Sequence, residues 1–263
     1  MRADTSPQRP SGTQGDWRKA LLHPAAKPIL FCAALLPAVW LVVAATTNQL
    51  GANPAEALIR STGDWALRAL CLVLALTPLR VTFAVPALAR WRRMLGLFAF
   101  FYAFLHVLSY SWLDMGLDVP DILADIAKRP FILVGTLTFV VLLALAATSF
   151  QRAIRALGGK RWQALHRSSY GIAVLGVVHF WWLVEAGVFT PLIYALVLAA
   201  LLGLRAAYTI RAVRLSVEAE NLLDKGYDLP LGGMSLGDLG ATGLLRPVAG
   251  RGRSINLGLS TRF

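Results

Sequence analysis

The feature that most constrains this chain is a series of apolar stretches, each close to the ~20 residues a helix needs to cross the hydrocarbon core of a bilayer. Six occur: about Ile29 to Thr47, Trp65 to Val85, Met94 to Leu113, Phe131 to Thr148, Ser169 to Val184 and Val188 to Leu204. The second carries Arg68 and ends around Arg80, so its pattern is the weakest. Inside lipid every backbone N–H and C=O must be paired within the protein, so such stretches become helices. Composition points the same way. Of 263 residues 57% are hydrophobic and 15% charged, where a soluble domain has about 45–50% and about 25%. The expectation is an all-α integral membrane protein: a bundle of six transmembrane helices over 28–210. A polar, basic arm (1–27) precedes it and a tail (211–263) follows. The arm is Pro-rich and unlike a secretory signal, and no soluble domain of any size is left over.

The formal charge is +12, but the cations sit between apolar stretches rather than on one folded surface, which excludes nucleic-acid binding. Their placement sets orientation instead. Arg9, Arg18, Lys19 and Lys27 precede the first stretch, and Arg80, Arg90, Arg92 and Arg93 lie between the second and third. Arg152, Arg155, Lys160, Arg161 and Arg167 lie between the fourth and fifth; Arg205, Arg211 and Arg214 follow the sixth. The alternate linkers are lean or acidic: Glu56, Arg60 and Asp64, then Asp114, Asp118, Asp121, Asp125, Lys128 and Arg129. Short cytoplasmic loops concentrate Lys and Arg. Both termini are therefore expected in the cytoplasm of a bacterial inner-membrane protein, with the acidic loop in the periplasm.

Four histidines occur. His23 precedes Pro24 in the polar arm and reads as a solvated loop residue. His106 lies in the middle of the third stretch (FAFFYAFLHVLSYSW), and His179 well inside the fifth (AVLGVVHFWWLV). An ionisable side chain at membrane depth is expensive and marks function by default, although a neutral histidine can also simply bridge helices. Depth favours ligation. Met94 to His106 is twelve residues and Ser169 to His179 is ten, or ~18 Å and ~15 Å of helix, both measured from the cytoplasmic side. Two imidazoles at one level on different helices can clamp a planar iron macrocycle, and bundle cores hold such cofactors. Gly96, Gly171 and Gly176 fit a slot for a flat ring, though small residues also serve plain helix contact. His166, in RWQALHRSSY, is thirteen residues before His179, ~220° around a straight helix. It either ligates a second haem near the cytoplasmic side, with Met94 at a comparable level, or is an interfacial histidine beside lipid headgroups or a flavin. Arg68, Arg80, Arg92 and Arg93 are candidate partners for haem propionates, with snorkelling to lipid phosphate the rival role for those at helix ends. Cys32 and Cys71 occur without a CxxC pattern, which argues against zinc or iron–sulfur ligation; they read as small buried hydrophobes.

Four segments together resemble the MsrQ (YedZ) family: TGDWALRALCLVLALTPLR, RRMLGLFAFFYAFLHVLSYSWLDMG, KRPFILVGTLTFVVLLALAATS and LGGKRWQALHRSSYGIAVLGVVHFWWLV. That family supplies the haem-binding membrane subunit of a periplasmic protein-methionine-sulfoxide reductase system and belongs to the ferric-reductase-like transmembrane group. The resemblance runs from about residue 20 to 210. It implies b-type haem, an associated flavin mononucleotide (FMN), and electrons drawn from the quinone pool or a cytoplasmic flavin reductase. It also implies a periplasmic molybdenum-containing partner that reduces methionine sulfoxide. His106, His166 and His179 fall on the family's motif histidines. The chain is then an electron-transfer subunit rather than the catalytic one.

Two rivals remain. Another ferric-reductase-like membrane cytochrome b, acting as a self-sufficient reductase, would need a flavin and nicotinamide domain and a second histidine in the third stretch. A non-haem transporter or scaffold would use its histidines only to bridge helices; no internal repeat of the transporter kind is found. The tail departs from the family: VRLSVEAENLLDKGYDLPLGG and GRSINLGLSTRF resemble the last strands of a TonB-dependent receptor, with Ile255, Leu257 and Leu259 alternating as in a barrel strand. Two strands cannot close a barrel, so the tail is expected to be a poorly ordered fusion without a part in electron transfer.

Overall fold

The computed structural model describes residues 21–183, 189–211, 213–220 and 254–261. The chain divides into two units, Met1–Arg205 and Ala206–Phe263. In the first, α1 spans Ala26–Thr46, α2 Pro54–Thr82 and α3 Arg92–Ser109. A 3₁₀ turn, Pro86–Trp91, leads into α3, and a π turn, Tyr110–Asp114, extends it. Then come α4 (Val119–Lys128), α5 (Pro130–Ala147), the short α6 (Gln151–Leu157), α7 (Gly159–Leu183) and α8 (Phe189–Arg211).

Helix starts follow local chemistry. The Asn53 side chain accepts from the Glu56 N–H and Pro54 takes the first position of α2, where a missing N–H costs nothing. Asp118 caps α4 in the same way through the Asp121 N–H, and Pro130 opens α5. Gly158, at φ +73°, turns the chain between α6 and α7, a left-handed position that suits glycine.

The bundle is built on two closely packed helix pairs, α2 with α3 and α5 with α7. Leu67, Leu70 and Leu74 of α2 meet Ala99 of α3, Leu142 and Leu145 of α5, Ile172, Ala173 and Val177 of α7 and Leu198 of α8 in one core. A smaller cluster, Ala38, Phe98 and Tyr102, joins α1 to α3, and the Tyr102 hydroxyl donates to the Ala34 carbonyl at 2.6 Å. The outer faces are apolar as well: Phe31, Trp40, Val42, Leu72, Phe104, Leu137, Val140 and Leu196 are all exposed. Apolar surface on that scale needs lipid around it, so this is a multi-pass membrane protein.

Five helical segments are long and apolar enough to cross a membrane among the described residues: Ala26–Thr46, Pro54–Thr82, Pro86–Asp114, Pro130–Ala147 and Phe189–Tyr208. The fifth of the six expected spans, α7, falls short on hydropathy although it is 25 residues long. Its polar residues are the reason: His166, Arg167 and His179 lie within it. It also starts about ten residues before the expected Ser169. Cys32 is exposed on α1 and Cys71 half-buried, both as free thiols, so the expectation that both are buried is corrected for Cys32. That residue lies on the outer face of a peripheral helix, where lipid takes the place of a core.

The second unit contains an antiparallel pair of strands, β1 (Val213–Glu220) and β2 (Ser254–Thr261). Leu215 is opposite Leu259, Val217 opposite Leu257 and Ala219 opposite Ile255. The expected arm over residues 1–20 and the middle of the tail, 221–253, lie outside the described residues.

Candidate haem site

His106 projects from α3 and His179 from α7, and both are part-buried in the bundle. Their ring centroids are 6.2 Å apart with planes at 79°. The equal depth expected from residue counting is therefore realised. Each ring is held by a backbone carbonyl of the helix packed against it. His106 Nδ1 lies 2.9 Å from the Ile59 oxygen of α2, and His179 Nδ1 lies 2.7 Å from the Phe131 oxygen at the start of α5. A carbonyl only accepts, so each Nδ1 carries the proton and donates. Each Nε2 then keeps its lone pair, the form in which a neutral imidazole binds a metal.

The spacing fits an iron between the rings. An imidazole–metal bond is about 2.0 Å and a ring nitrogen stands about 1.1 Å from its ring centre, so two imidazoles on opposite sides of one ion have centroids about 6.2 Å apart. The donor set, two neutral imidazoles in an apolar bundle, suits haem iron. Gly96 and Gly171, read as ring-admitting positions, have open space where a Cβ would stand, and Gly176 meets only a Leu67 methyl at 3.7 Å. The glycines that touch the histidines are two that sequence reading missed: Gly63 against the His106 ring and Gly135 against the His179 ring.

His166 stands apart. Its ring stacks on Trp162 at 4.1 Å between centroids, and its Nε2 lies 3.2 Å from the Thr148 hydroxyl. The Trp162 indole N–H donates to the Thr148 carbonyl at 3.0 Å, which ties α7 to the end of α5. Met94 packs against the cluster of Ala38, Phe98 and Tyr102. Three residues on from His166, the buried Ser169 hydroxyl has no protein partner. His23 is exposed and accepts a local bond from the Ala25 N–H at 3.2 Å.

The four arginines separate by level. Arg68 is five residues along α2 from Gly63, ~7.5 Å of helix from the histidine pair. Its Nε donates to the Tyr194 hydroxyl at 3.0 Å, its guanidinium lies over Trp65 at 4.8 Å, and Asp64 is 3.8 Å away. Arg92 and Arg93 are fourteen and thirteen residues before His106 on α3, and Arg80 is seventeen beyond Gly63, so all three are ~20–26 Å from the pair. Arg80 and Arg92 are close enough to Arg205 for their charges to act on it, and Arg92 acts likewise on His166. Of the four, Arg68 is the one nearest in level to the histidine pair.

Residues 62–177 match the ferric reductase like transmembrane component family. The protein-methionine-sulfoxide reductase heme-binding subunit MsrQ of Polaromonas naphthalenivorans is 62% identical over 194 residues, covering 72% of this chain and 87% of that protein. The proteins of the same name from Azospira oryzae and Herminiimonas arsenicoxydans are 53% and 51% identical, over 71% and 68% of this chain and 81% and 83% of their own lengths. Identity of this order along nearly the whole of each relative means that this chain belongs to the MsrQ family.

Proposed function

We infer that the chain is the haem-binding membrane subunit of a protein-methionine-sulfoxide reductase system, and that His106 and His179 are the axial ligands of its b-type haem. The observation that carries the site is the pair of rings 6.2 Å apart, each with Nδ1 turned to a carbonyl. The name of the relatives supports haem and the reductase system. Haem iron, when bound, supplies a one-electron couple. The chain's own residues do the rest. The Ile59 and Phe131 carbonyls fix tautomer and rotation, and Leu67, Val177 and their neighbours keep water from the bundle core. Arg68, tethered by Tyr194 and stacked on Trp65, supplies a positive charge for a propionate.

Reducing a sulfoxide to a thioether takes two electrons and two protons and releases water. The chain therefore serves a periplasmic partner, molybdenum-containing as the family resemblance implies, by passing two electrons in succession. The placement of Lys and Arg supports an inner-membrane protein with both termini in the cytoplasm. The donor is the quinone pool or a cytoplasmic flavin reductase, met at the cytoplasmic ends of α2, α3 and α7. The reading that FMN or a second haem binds at that end is supported by His166, the orphaned Ser169 hydroxyl and the nearby cations Arg80, Arg92 and Arg205. Arg93 stands beside Arg92 there.

The test is a reduced-minus-oxidised spectrum of the purified full chain beside His106→Ala and His179→Ala. Wild type is expected to show low-spin b-type bands, and each variant to lose them. Wild-type bands that survive both substitutions would remove the two-helix clamp.

A further inference from the structure

The two imidazole seats are built alike. In an α-helix the carbonyl of residue i accepts the N–H of residue i+4. Four residues beyond Ile59 is Gly63, and four beyond Phe131 is Gly135, in the otherwise unrelated stretches IRSTG and FILVG. The carbonyl that each Nδ1 approaches is thus the one whose helical donor is a glycine. This coincidence has a steric cause. A helical Cα–Cβ bond tilts toward the N-terminus, over the preceding turn, so a Cβ at i+4 would stand beside the carbonyl of i, where the ring sits.

The distances bear this out at both places. A Cβ on Gly63 would come within 3.0 Å of His106 Nδ1 and 3.2 Å of its Cε1. A Cβ on Gly135 would come within 2.7 Å of His179 Cε1 and 2.9 Å of its Nδ1. Gly96, Gly171 and Gly203, also inside helices, would meet nothing within 4 Å. Glycine weakens a helix interior, and alanine would suit those helices better were no ring lodged against them.

We propose that Gly63 and Gly135 are positioning residues for the haem: each opens a gap beside a main-chain carbonyl into which a ligand imidazole docks its Nδ1–H. The proposal rests on the haem reading above and deepens it. The seat fixes the proton on Nδ1, leaves Nε2 for iron and sets ring rotation. A hydrogen bond donated from Nδ1 makes the imidazole a more basic ligand, which favours the oxidised iron and lowers its reduction potential. A methyl group in the gap pushes the ring off the carbonyl and reverses that effect.

The experiment compares the purified, haem-loaded full chain with Gly63→Ala, Gly135→Ala and, as a control for the same change in a helix without a ring contact, Gly203→Ala. Haem content, midpoint potential and the low-temperature EPR spectrum of the ferric form are read for each. Both seat variants are expected to show a more positive midpoint and an altered low-spin EPR anisotropy, which reports the angle between the axial rings; the control should match wild type. Loss of low-spin haem from a seat variant that stays monodisperse and helical supports the same conclusion. Wild-type potential and EPR shape in both seat variants would overturn it. Should neither accumulate, pulsed EPR of wild type before and after exchange into D2O reads the ring protons directly. A hydrogen-bonded Nδ1 proton on both ligands is expected, and its absence overturns the seats. A wild-type chain without haem overturns the haem reading itself, and the seats with it.

Discussion

At the scale of single residues, three histidines of one bundle are treated in two ways. His106 and His179 give their Nδ1 protons to carbonyls, whereas His166 has its Nε2 beside the Thr148 hydroxyl and its ring on Trp162. Thirteen residues of α7 separate His166 from His179, ~20 Å along the helix, too far for both rings to meet one iron. His166→Ala is therefore expected to leave the low-spin bands of the His106–His179 haem at their wild-type position while removing about 1 kcal/mol of stability with its hydrogen bond and stacking. Difference spectra and haem-to-protein ratios check this; complete loss of low-spin haem would show that the sites are one. That His106 and His179 come together was legible in the sequence, because depth in a helix follows from counting residues. Their seats were not. Ile59 and Phe131 act through main-chain oxygens that carry no side-chain signature, across 47 and 48 positions of sequence. Gly63 and Gly135 look like any other glycines until a neighbouring ring is placed on them.

At the scale of elements, the outer connection between α3 and α5 is tied down by one chain of polar contacts. The α3 helix ends in a π turn, an irregularity often found near functional sites, whose first residue is Tyr110. Its hydroxyl donates to Asp125 of α4 at 2.7 Å, and the other oxygen of that carboxylate meets Arg129 at 2.9 Å. The Asp125 side chain is only 11% exposed while that of Arg129 is 55% exposed, so the tyrosine bond is the better shielded of the two. Tyr110→Phe is expected to cost about 1–2 kcal/mol, read as a lower melting temperature in detergent, with faster proteolysis between 115 and 129. Unchanged proteolysis would mean that α4 is held by its apolar packing instead. Of the elements, α5 opens at Pro130, one residue from the expected Phe131. Helix α2 instead opens at Pro54, eleven residues before the expected Trp65, because Glu56, Arg60 and Asp64 make its first turns too polar to look like part of a span. The start of α7 was hidden because KRWQALHR is too polar to look like part of a span, and it becomes helical through Trp162 and His166 packing on Thr148.

At the scale of the whole molecule, the proposed haem site lies entirely in the helical unit. His106, His179, both carbonyl seats and Arg68 fall between Ile59 and His179, within Met1–Arg205, on helices whose apolar periphery lipid covers. Five of the six expected spans were legible because the bilayer imposes a length rule on sequence directly. The strand pair was only half legible: the alternation of Ile255, Leu257 and Leu259 marked β2, but its pairing with Val213–Glu220 depends on a partner more than thirty residues away. A two-stranded sheet contributes little stability by itself, and none of its residues is among those that seat the imidazoles. A chain ending at Arg211 is therefore expected to insert, to bind haem in the wild-type ratio and to keep the wild-type midpoint potential. The stretch matched by the Polaromonas naphthalenivorans relative, 194 residues, is long enough to hold the whole site. A truncated chain with its haem content cut severalfold, while still purified as a monodisperse membrane protein, would instead place part of the haem-holding machinery beyond the helices.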